Sequence, residues 1–318
     1  MRTVARHELP GRRKPPMSQP IIETNELSVY YGRHRGIHDL NMTVEPGEVY
    51  GFLGPNGAGK STTLRVLLDI IRPTAGRAAV FGLDCQKDGV QIRRRVGYIP
   101  GELMLYTQLR AEEYLDMVTR VSGRRDDPDY RRRLYALLDL DARRPMHTYS
   151  RGNKQKVGLV AAFMRRPELL ILDEPTSGLD PLIQQNVLDL VREARADGRT
   201  VLFSSHVLSE VQQVCDRVGI IRDGQIVATE RVEQLIKSRL QRLHVRLAQM
   251  PPAGALDGDG VTELGRTGDT ITFEVRAHLN RLLAQAVAYD VLELDNEQVT
   301  LEDIFMTYYG RNGGPRHD

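Results

Sequence analysis

The chain has 318 residues, 41% hydrophobic and 27% charged, and its 44 basic and 42 acidic side chains leave a net charge of +2. Such a composition can build one large domain or two ordinary ones and excludes a disordered or collagen-like chain. No apolar stretch approaches the roughly 18 to 20 residues of a membrane-spanning helix, and the near-zero net charge gives no electrostatic argument for nucleic acid as a partner.

The first 16 residues form a basic leader, with five basic side chains against the single acidic residue Glu8. The leader lacks the apolar core of a secretory signal. We expect residues 1–19 to be a disordered tail, or Met17 to be the true start. A membrane-surface anchor is disfavoured because five basic residues without an apolar face bind lipid weakly.

Short β-strands are predicted over 21–49, with a turn at Pro46-Gly47. Buried strands are predicted at 49–53, 169–173 and 200–205. Between the first two of these strands, apolar residues recur at helical spacing over 101–165. An Asp-Gly hairpin is predicted at 222–225. Alternating strands and helices indicate an α/β fold with a three-layer core and parallel strands.

The character of the sequence changes after residue 237. Two alternating segments, a helical segment and a short strand predict a small α+β domain over 240–310 with a ferredoxin-like pattern. We expect this domain to close with a helix over 300–310, and residues 311–318 to be a tail. The two cysteines, Cys85 and Cys215, match no metal or redox spacing, so we expect a soluble cytosolic protein.

A glycine-rich loop between the strand at 49–53 and the next helix has the most specific pattern. It fits G-x-x-x-x-G-K-[S/T] without a mismatch. Its residues are Gly54, Pro55, Asn56, Gly57, Ala58, Gly59, Lys60 and Ser61, and Thr62 is counted with them as a nucleotide-binding residue. Small residues let backbone N–H groups surround phosphate oxygens at the positive end of a helix. We therefore expect ATP, with Lys60 at the β- and γ-phosphates and Ser61 at Mg²⁺.

A carboxylate pair follows the second buried strand. Asp173 ends this strand, where it could bind Mg²⁺ opposite the phosphate loop, and Glu174 comes next, where it could polarise an attacking water. A strand-end turn alone would give the same two letters. The pair indicates a metal-binding and catalytic site only in combination with the phosphate loop.

A third motif opens the helix that precedes this strand. Ser150 is a good N-cap residue and Gly152 permits a close approach, so the helix start is a candidate anion site. With it the chain resembles the ATP-binding cassette (ABC) ATPases, whose signature is usually LSGGQ and here reads YSRGN. Arg151 and Asn153 depart from the common form, and the YS-x-G-x-KQ variant resembles the drug- and antibiotic-export branch.

Further matches to the family fall in order along residues 20–235. The dimer-contact loop of the family is matched by Ser177, Gly178, Leu179 and Asp180. His206 resembles the switch histidine that contacts the γ-phosphate. Tyr31 resembles the aromatic residue that stacks on adenine; Tyr30 is the alternative, and Tyr31 is preferred because it directly precedes Gly32.

The resemblance implies a P-loop NTPase of the ABC type over 20–236, with an antiparallel β subdomain and a helical subdomain. It further implies an ATPase at the cytoplasmic face of the membrane that drives a separate integral-membrane permease. ATP would lie between the phosphate loop of one cassette and Ser150 and Gly152 of a second cassette, either in a homodimer or in a pair with a different cassette. The ending at 299–305 resembles export-type ATPases; an importer ATPase and a soluble ABC ATPase of ribosomes or DNA are the alternatives.

One position departs clearly from the family. Relatives usually carry a glutamine that reaches Mg²⁺ and the attacking water, whereas Gly101 stands at that place here. We expect the neighbouring Glu102 to take over the coupling role, since a carboxylate accepts hydrogen bonds from metal-bound water. Gln108 is a more distant candidate. Alternatively, Glu102 is a solvated loop residue that contacts the permease.

Overall fold

A computed structural model describes residues 19–32, 34–123, 127–237, 241–276 and 278–298. The predicted leader up to residue 18, the predicted closing helix and the tail lie outside these residues. The strands are β1 Ile22–Tyr31, β2 His34–Val44, β3 Val49–Leu53, β4 Ala75–Val80, β5 Leu83–Asp84, β6 Val96–Ile99, β7 Leu169–Asp173, β8 Thr200–Ser205, β9 Arg217–Arg222, β10 Gln225–Arg231, β11 Gln241–Leu247, β12 Val261–Thr267, β13 Thr270–Val275 and β14 Val291–Gln298. The helices are α1 Lys60–Leu67, α2 Gly89–Arg95, α3 Ala111–Ser122, α4 Pro128–Leu137, α5 Arg151–Phe163, α6 Pro181–Ala196, α7 Leu208–Val214, α8 Val232–Lys237 and α9 Leu279–Ala286, with 3₁₀ turns at Met146–Thr148 and Val287–Tyr289.

The central sheet has the strand order β10-β9-β3-β8-β7-β6. Its strands pair in parallel except for the β9–β10 hairpin. The three predicted buried strands are confirmed, residue for residue, as β3, β7 and β8. The predicted hairpin is confirmed too: Asp223 and Gly224 both have positive φ, at 48° and 83°, as an Asp-Gly hairpin turn requires.

Alternate residues of the central strands face two different cores. In β7, Leu170 and Leu172 join the cluster built by α3 to α7, whereas Leu169 and Ile171 join the cluster that β1, β2 and α1 complete. Successive side chains of a strand point to opposite faces, so the four apolar residues of one strand contribute to both cores. The predicted three-layer α/β architecture is therefore confirmed.

A second sheet, β2-β1-β4-β5, is wholly antiparallel and forms the β subdomain. The helical region begins with α3 and α4. Asp127 caps α4 by accepting hydrogen bonds from the N–H groups of Asp129 and Tyr130, and Pro128 occupies the first turn. A proline is tolerated there because its missing N–H would have no helical partner.

The segment after residue 240 forms a third antiparallel sheet, β12-β13-β11-β14, with its own apolar core against α9. The ferredoxin-like pattern was only partly right, because residues 248–260 connect β11 to β12 without a helix. Proline, glycine and aspartate in this connection favour turns over a helix. None of the helices in the described ranges is long and apolar enough to cross a membrane.

Candidate functional site

The phosphate loop joins the end of β3 to the start of α1. Two of its glycines leave no room for a side chain: a Cβ at Gly54 would lie 2.4 Å from the Ile221 carbonyl oxygen, and one at Gly59 would lie 2.8 Å from the Gly36 carbonyl oxygen. Gly59 also has φ of +106°, which L side chains rarely adopt. The glycines thus let the loop pack tightly against β9 at Ile221 and against β2 at Gly36.

Lys60 crosses this loop with its side chain. The ammonium donates hydrogen bonds to the carbonyl oxygens of Gly54 at 2.5 Å and Pro55 at 3.2 Å, and its Nζ lies 3.3 Å from Glu174 Oε1. Only 5% of Lys60 is exposed. The cation is therefore held at the centre of the loop, beside the predicted catalytic carboxylate.

Glu174 and His206 meet at the ends of β7 and β8. His206 Nδ1 lies 2.7 Å from Glu174 Oε2, with 18% of the Glu174 side chain and 50% of the His206 side chain exposed. Glu174 has a left-handed φ of 51°, and its N–H donates to the Ser204 carbonyl oxygen at 3.1 Å. This turn directs the carboxylate toward the phosphate loop.

Asp173 lies at the end of β7 and is 1% exposed. Ser204 donates a hydrogen bond to its Oδ1 at 3.0 Å. A Cβ at Gly101 would lie 3.2 Å from Oδ2, so position 101 does border the predicted metal-binding carboxylate. Burial, with the negative charge of Asp173, raises the pKa of the nearby Tyr98 hydroxyl to about 12, against the opposing effect of Arg65.

The chemistry of these donors fits Mg²⁺. Within the described ranges no three His, Cys, Asp or Glu side chains cluster as a metal site. A P-loop site does not require such a cluster, because a hydroxyl, one carboxylate, water and phosphate oxygens complete the hard-oxygen shell. Asp173 would supply the buried carboxylate and Ser61 the hydroxyl.

A pocket opens over the phosphate loop. Its lining residues are Tyr31, Arg35, Gly36, Pro55, Asn56, Gly57, Gly59, Lys60, Ser61, Thr62 and Glu174. Tyr31 lines this pocket and Tyr30 does not, although both rings are partly exposed. The geometry therefore favours Tyr31 of the two alternatives.

The signature segment and the dimer-contact loop pack on each other. Ser150 caps α5 by accepting a hydrogen bond from the Asn153 N–H at 3.2 Å. A Cβ at Gly152 would lie 2.7 Å from the Gly178 carbonyl oxygen, and Arg151 Nη2 lies 3.5 Å from Ser177 Oγ. None of these residues lines the pocket over the phosphate loop of its own chain.

The last two residues of the dimer-contact loop have structural roles within the chain. Leu179 is buried in the core that the helices share. Asp180 caps α6, accepting a hydrogen bond from the Ile183 N–H at 3.0 Å. Ser177 and Gly178 are thus the part of the loop that faces the signature segment.

The segment after β6, residues 100–109, packs on the core that the helices share through apolar residues, including Leu105 and Leu109. A Cβ at Gly158 would lie 2.8 Å from Leu103 Cδ2, so Leu103 packs on α5. Glu102 and Gln108 are both exposed. The structure thus places Gly101 beside Asp173, while a coupling role for Glu102 stays a prediction.

Three residues around the site were not predicted from the sequence. Ser204 holds Asp173, Gln155 donates a hydrogen bond to the Pro175 carbonyl oxygen at 3.1 Å, and Arg35 lines the pocket. The sequence contained a signal for Ser204 and Gln155. Ser204 lies near the end of the largely apolar strand TVLFSS, and Gln155 belongs to the polar run NKQK at the start of an otherwise apolar helix; polar residues that become buried in such places require hydrogen-bond partners. Arg35 had no such signal.

Comparison with known proteins agrees with these features. The family model described as ABC transporter matches residues 37–177. The bacitracin transport ATP-binding protein BcrA of Bacillus licheniformis is 33% identical over 309 residues, which cover 91% of this chain and 97% of that protein. The linearmycin resistance ATP-binding protein LnrL of Bacillus subtilis (strain 168) is 30% identical over 310 residues, which cover 92% of this chain and 99% of that protein. A solved structure of an ATP-binding subunit of an ABC transporter superposes with a TM-score of 0.62 at 32% identity, covering 68% of this chain and 92% of the other. The chain therefore belongs to the ABC transporter family of ATP-binding proteins.

Proposed function

We propose that this chain hydrolyses MgATP and thereby drives a separate membrane-embedded permease that exports drugs or antibiotics. The observation that carries the ATPase proposal is the position of the Glu174 carboxylate, which lies between Lys60 at 3.3 Å and His206 at 2.7 Å on the wall of the phosphate-loop pocket. A carboxylate held there can act on a water beside the terminal phosphate.

The residues of the chain have separate roles in this reaction. The loop N–H groups and Lys60 bind the phosphates, and Tyr31 stacks on adenine. Glu174 orients the water and accepts its proton as the water oxygen bonds to the γ-phosphorus. The bond from the γ-phosphorus to the bridging oxygen breaks, so ADP and inorganic phosphate form and one proton is released. His206 positions the Glu174 carboxylate. Mg²⁺, bound by Ser61 and Asp173, would neutralise charge on the phosphates.

A second copy of the chain is proposed to complete the site. Ser150, Arg151, Gly152 and Asn153 do not line the pocket of their own chain. They lie at the start of α5, where the helix dipole favours an anion. In a homodimer these residues would reach the ATP of the partner subunit across the loop at 177–178.

The transported class is proposed from the two relatives. One is named for bacitracin transport and the other for linearmycin resistance, and both are similar to this chain over more than nine tenths of its length. Export of an antibiotic-like compound through a permease, with this chain bound at the cytoplasmic face of the membrane, is the reading that they support. An importer ATPase and a soluble ABC ATPase are the alternatives.

The test uses the purified full-length chain and its Mg²⁺-dependent phosphate release. Lys60→Ala should weaken ATP binding and abolish most turnover, because it removes a buried cation from the phosphates. Lys87→Ala, which removes an exposed lysine outside the pocket, is the control and should leave both unchanged. Undiminished ATP affinity in Lys60→Ala would contradict the assignment, and failure of the tagged chain to co-purify with a membrane-spanning protein would contradict the transport role.

A further inference from the structure

The entrance to the nucleotide pocket carries a positive charge that the P-loop motif does not account for. Arg35 lies at the start of β2 and lines the pocket together with Tyr31 and the phosphate loop. The start of β2 packs directly on that loop, since a Cβ at Gly59 would lie 2.5 Å from Ile37 Cγ2 and 2.8 Å from the Gly36 carbonyl oxygen. Arg35 therefore stands one residue from a backbone that touches the loop.

The guanidinium of Arg35 is not neutralised by a carboxylate among the residues that the structure describes. Its hydrogen-bond partner there is an imidazole: Arg35 Nη1 lies 3.0 Å from His38 Nε2. By contrast, Arg217 on β9 pairs with Glu48, and Arg93 in α2 pairs with Asp69. The Arg35 charge is exposed and available to an anion in the pocket.

His38 fixes the direction of this side chain. A guanidinium has only donors, so His38 Nε2 must accept and the ring proton must lie on Nδ1. That nitrogen is 3.8 Å from Asp39 Oδ2, and 14% of the His38 side chain is exposed. The backbone N–H of His38 donates to the Gly224 carbonyl oxygen at 3.0 Å, which fixes the main chain that carries the ring. The imidazole is thus a fixed support that the anion does not need to displace, because arginine has four further N–H donors.

We propose that Arg35 is a second cationic contact for the phosphates of the bound nucleotide, and that His38 is its positioning residue. The inference rests on the proposed function, since it assumes that this pocket binds ATP. Arginine donors recognise phosphate oxygens through charge-assisted hydrogen bonds. The contribution of this contact to affinity should therefore depend on the phosphates of the nucleotide and not on its base. It should favour ATP over nucleotides with fewer phosphates.

The experiment is calorimetric titration of the full-length chain with ATP, ADP and AMP. Arg35→Ala should weaken ATP binding about tenfold, a loss typical of one hydrogen bond to a charged group, and AMP binding about threefold or less. Arg35→Lys should recover part of the loss, because it restores the charge without the fork of donors. Arg77→Ala, an exposed arginine on β4 outside this pocket, is the matched control and should bind as the unsubstituted chain does.

The role of His38 is tested by a double-mutant cycle. His38→Ala should weaken ATP binding less than Arg35→Ala does, and the double variant should be no weaker than Arg35→Ala alone. Fully additive losses would overturn the positioning role.

Two results would overturn the contact to the phosphates. One is ATP affinity unchanged in Arg35→Ala; the other is an equal loss for ATP and AMP, which would exclude a contact to the β- and γ-phosphates. If the unsubstituted chain bound no ATP, the proposed function would fall together with this inference. Normal ATP binding by the unsubstituted chain and by Arg35→Ala would overturn the inference alone.

Discussion

His206 Nδ1 lies 2.7 Å from Glu174 Oε2, although the two residues are 32 positions apart. The contact exists because β7 and β8 are neighbours in the central sheet, with Asp173 opposite Ser204. Each strand is followed at its carboxyl end by one of the two side chains. The register of two buried strands therefore sets the orientation of the carboxylate that the proposed hydrolysis depends on.

Replacing that carboxylate tests its role directly. Glu174→Gln keeps the size of the side chain but removes the proton acceptor, so we expect phosphate release to fall at least about 100-fold while ATP binding is kept. Glu168→Gln is a matched control, because Glu168 directly precedes the same strand and pairs with Arg95 at the surface. Turnover in Glu174→Gln close to that of the control would contradict the assignment.

The two adjacent tyrosines allow a similarly matched comparison. Tyr31→Ala should weaken ATP binding about tenfold, as expected for the loss of one ring that stacks on a base. Tyr30→Ala removes a ring of comparable exposure that does not line the pocket, and it should leave the affinity unchanged. Fluorescence titration with an ATP analogue measures both, and the reverse order of effects would assign the stacking role to Tyr30.

Gly152 tests the packing of the signature segment. A methyl group there would meet the Gly178 carbonyl oxygen at 2.7 Å, so Gly152→Ala should push the start of α5 away from the dimer-contact loop. We expect a loss of about 1–3 kcal/mol in the free energy of unfolding, measured by urea denaturation, together with lower ATPase activity.

The control is Gly265→Ala, because a Cβ at Gly265 would meet nothing within 4 Å. It should unfold as the unsubstituted chain does. Equal stability of the two variants would show that the signature segment tolerates the methyl group.

Glu102 is the proposed coupling residue. Its side chain is exposed beside Gly101, the position that borders Asp173. Glu102→Ala should lower substrate-stimulated ATPase activity of the chain with its permease much more than it lowers ATP binding. Glu112→Ala, in the exposed first turn of α3, is the control. Normal transport by Glu102→Ala, with unaltered substrate stimulation of the ATPase activity, would contradict the coupling role of Glu102.

The two buried thiols predict a pH dependence. Burial, with the charges of Asp84 and Asp69, raises the pKa of Cys85 from 9.0 to about 12, and burial also raises that of Cys215. The folded-state pKa of Cys85 thus lies above its unfolded value. The free energy of unfolding should therefore be constant with respect to this thiol below about pH 9 and should fall as the pH rises toward about 12.

A thiol reagent such as Ellman's reagent reads out the same burial. Native chain at pH 8 should react slowly, and both thiols should react at once in guanidinium chloride, because only exposed thiolates are nucleophiles. Rapid reaction of one thiol in the native chain would show that this thiol is exposed to solvent.

The sequence by itself determined the motifs and the elements that carry them. Strands β3, β7 and β8 were predicted to the residue, because largely apolar runs bounded by turn residues are most stable in the middle of a sheet. The Asp-Gly turn was predicted because its backbone needs positive φ at both positions. These signals are local, so a single sequence contains them.

Only the tertiary structure decided which of these residues meet. The contact of Glu174 with His206 depends on the pairing of β7 with β8, and the contact of Gly152 with Gly178 depends on how α5 packs beside the next loop. Likewise, Tyr31 rather than Tyr30 lines the pocket, and Arg35 joins it, because β1 and β2 fold over the phosphate loop. Such contacts follow from packing between segments far apart in the chain, whose relative geometry is fixed by hydrophobic burial. Local sequence patterns do not specify that geometry.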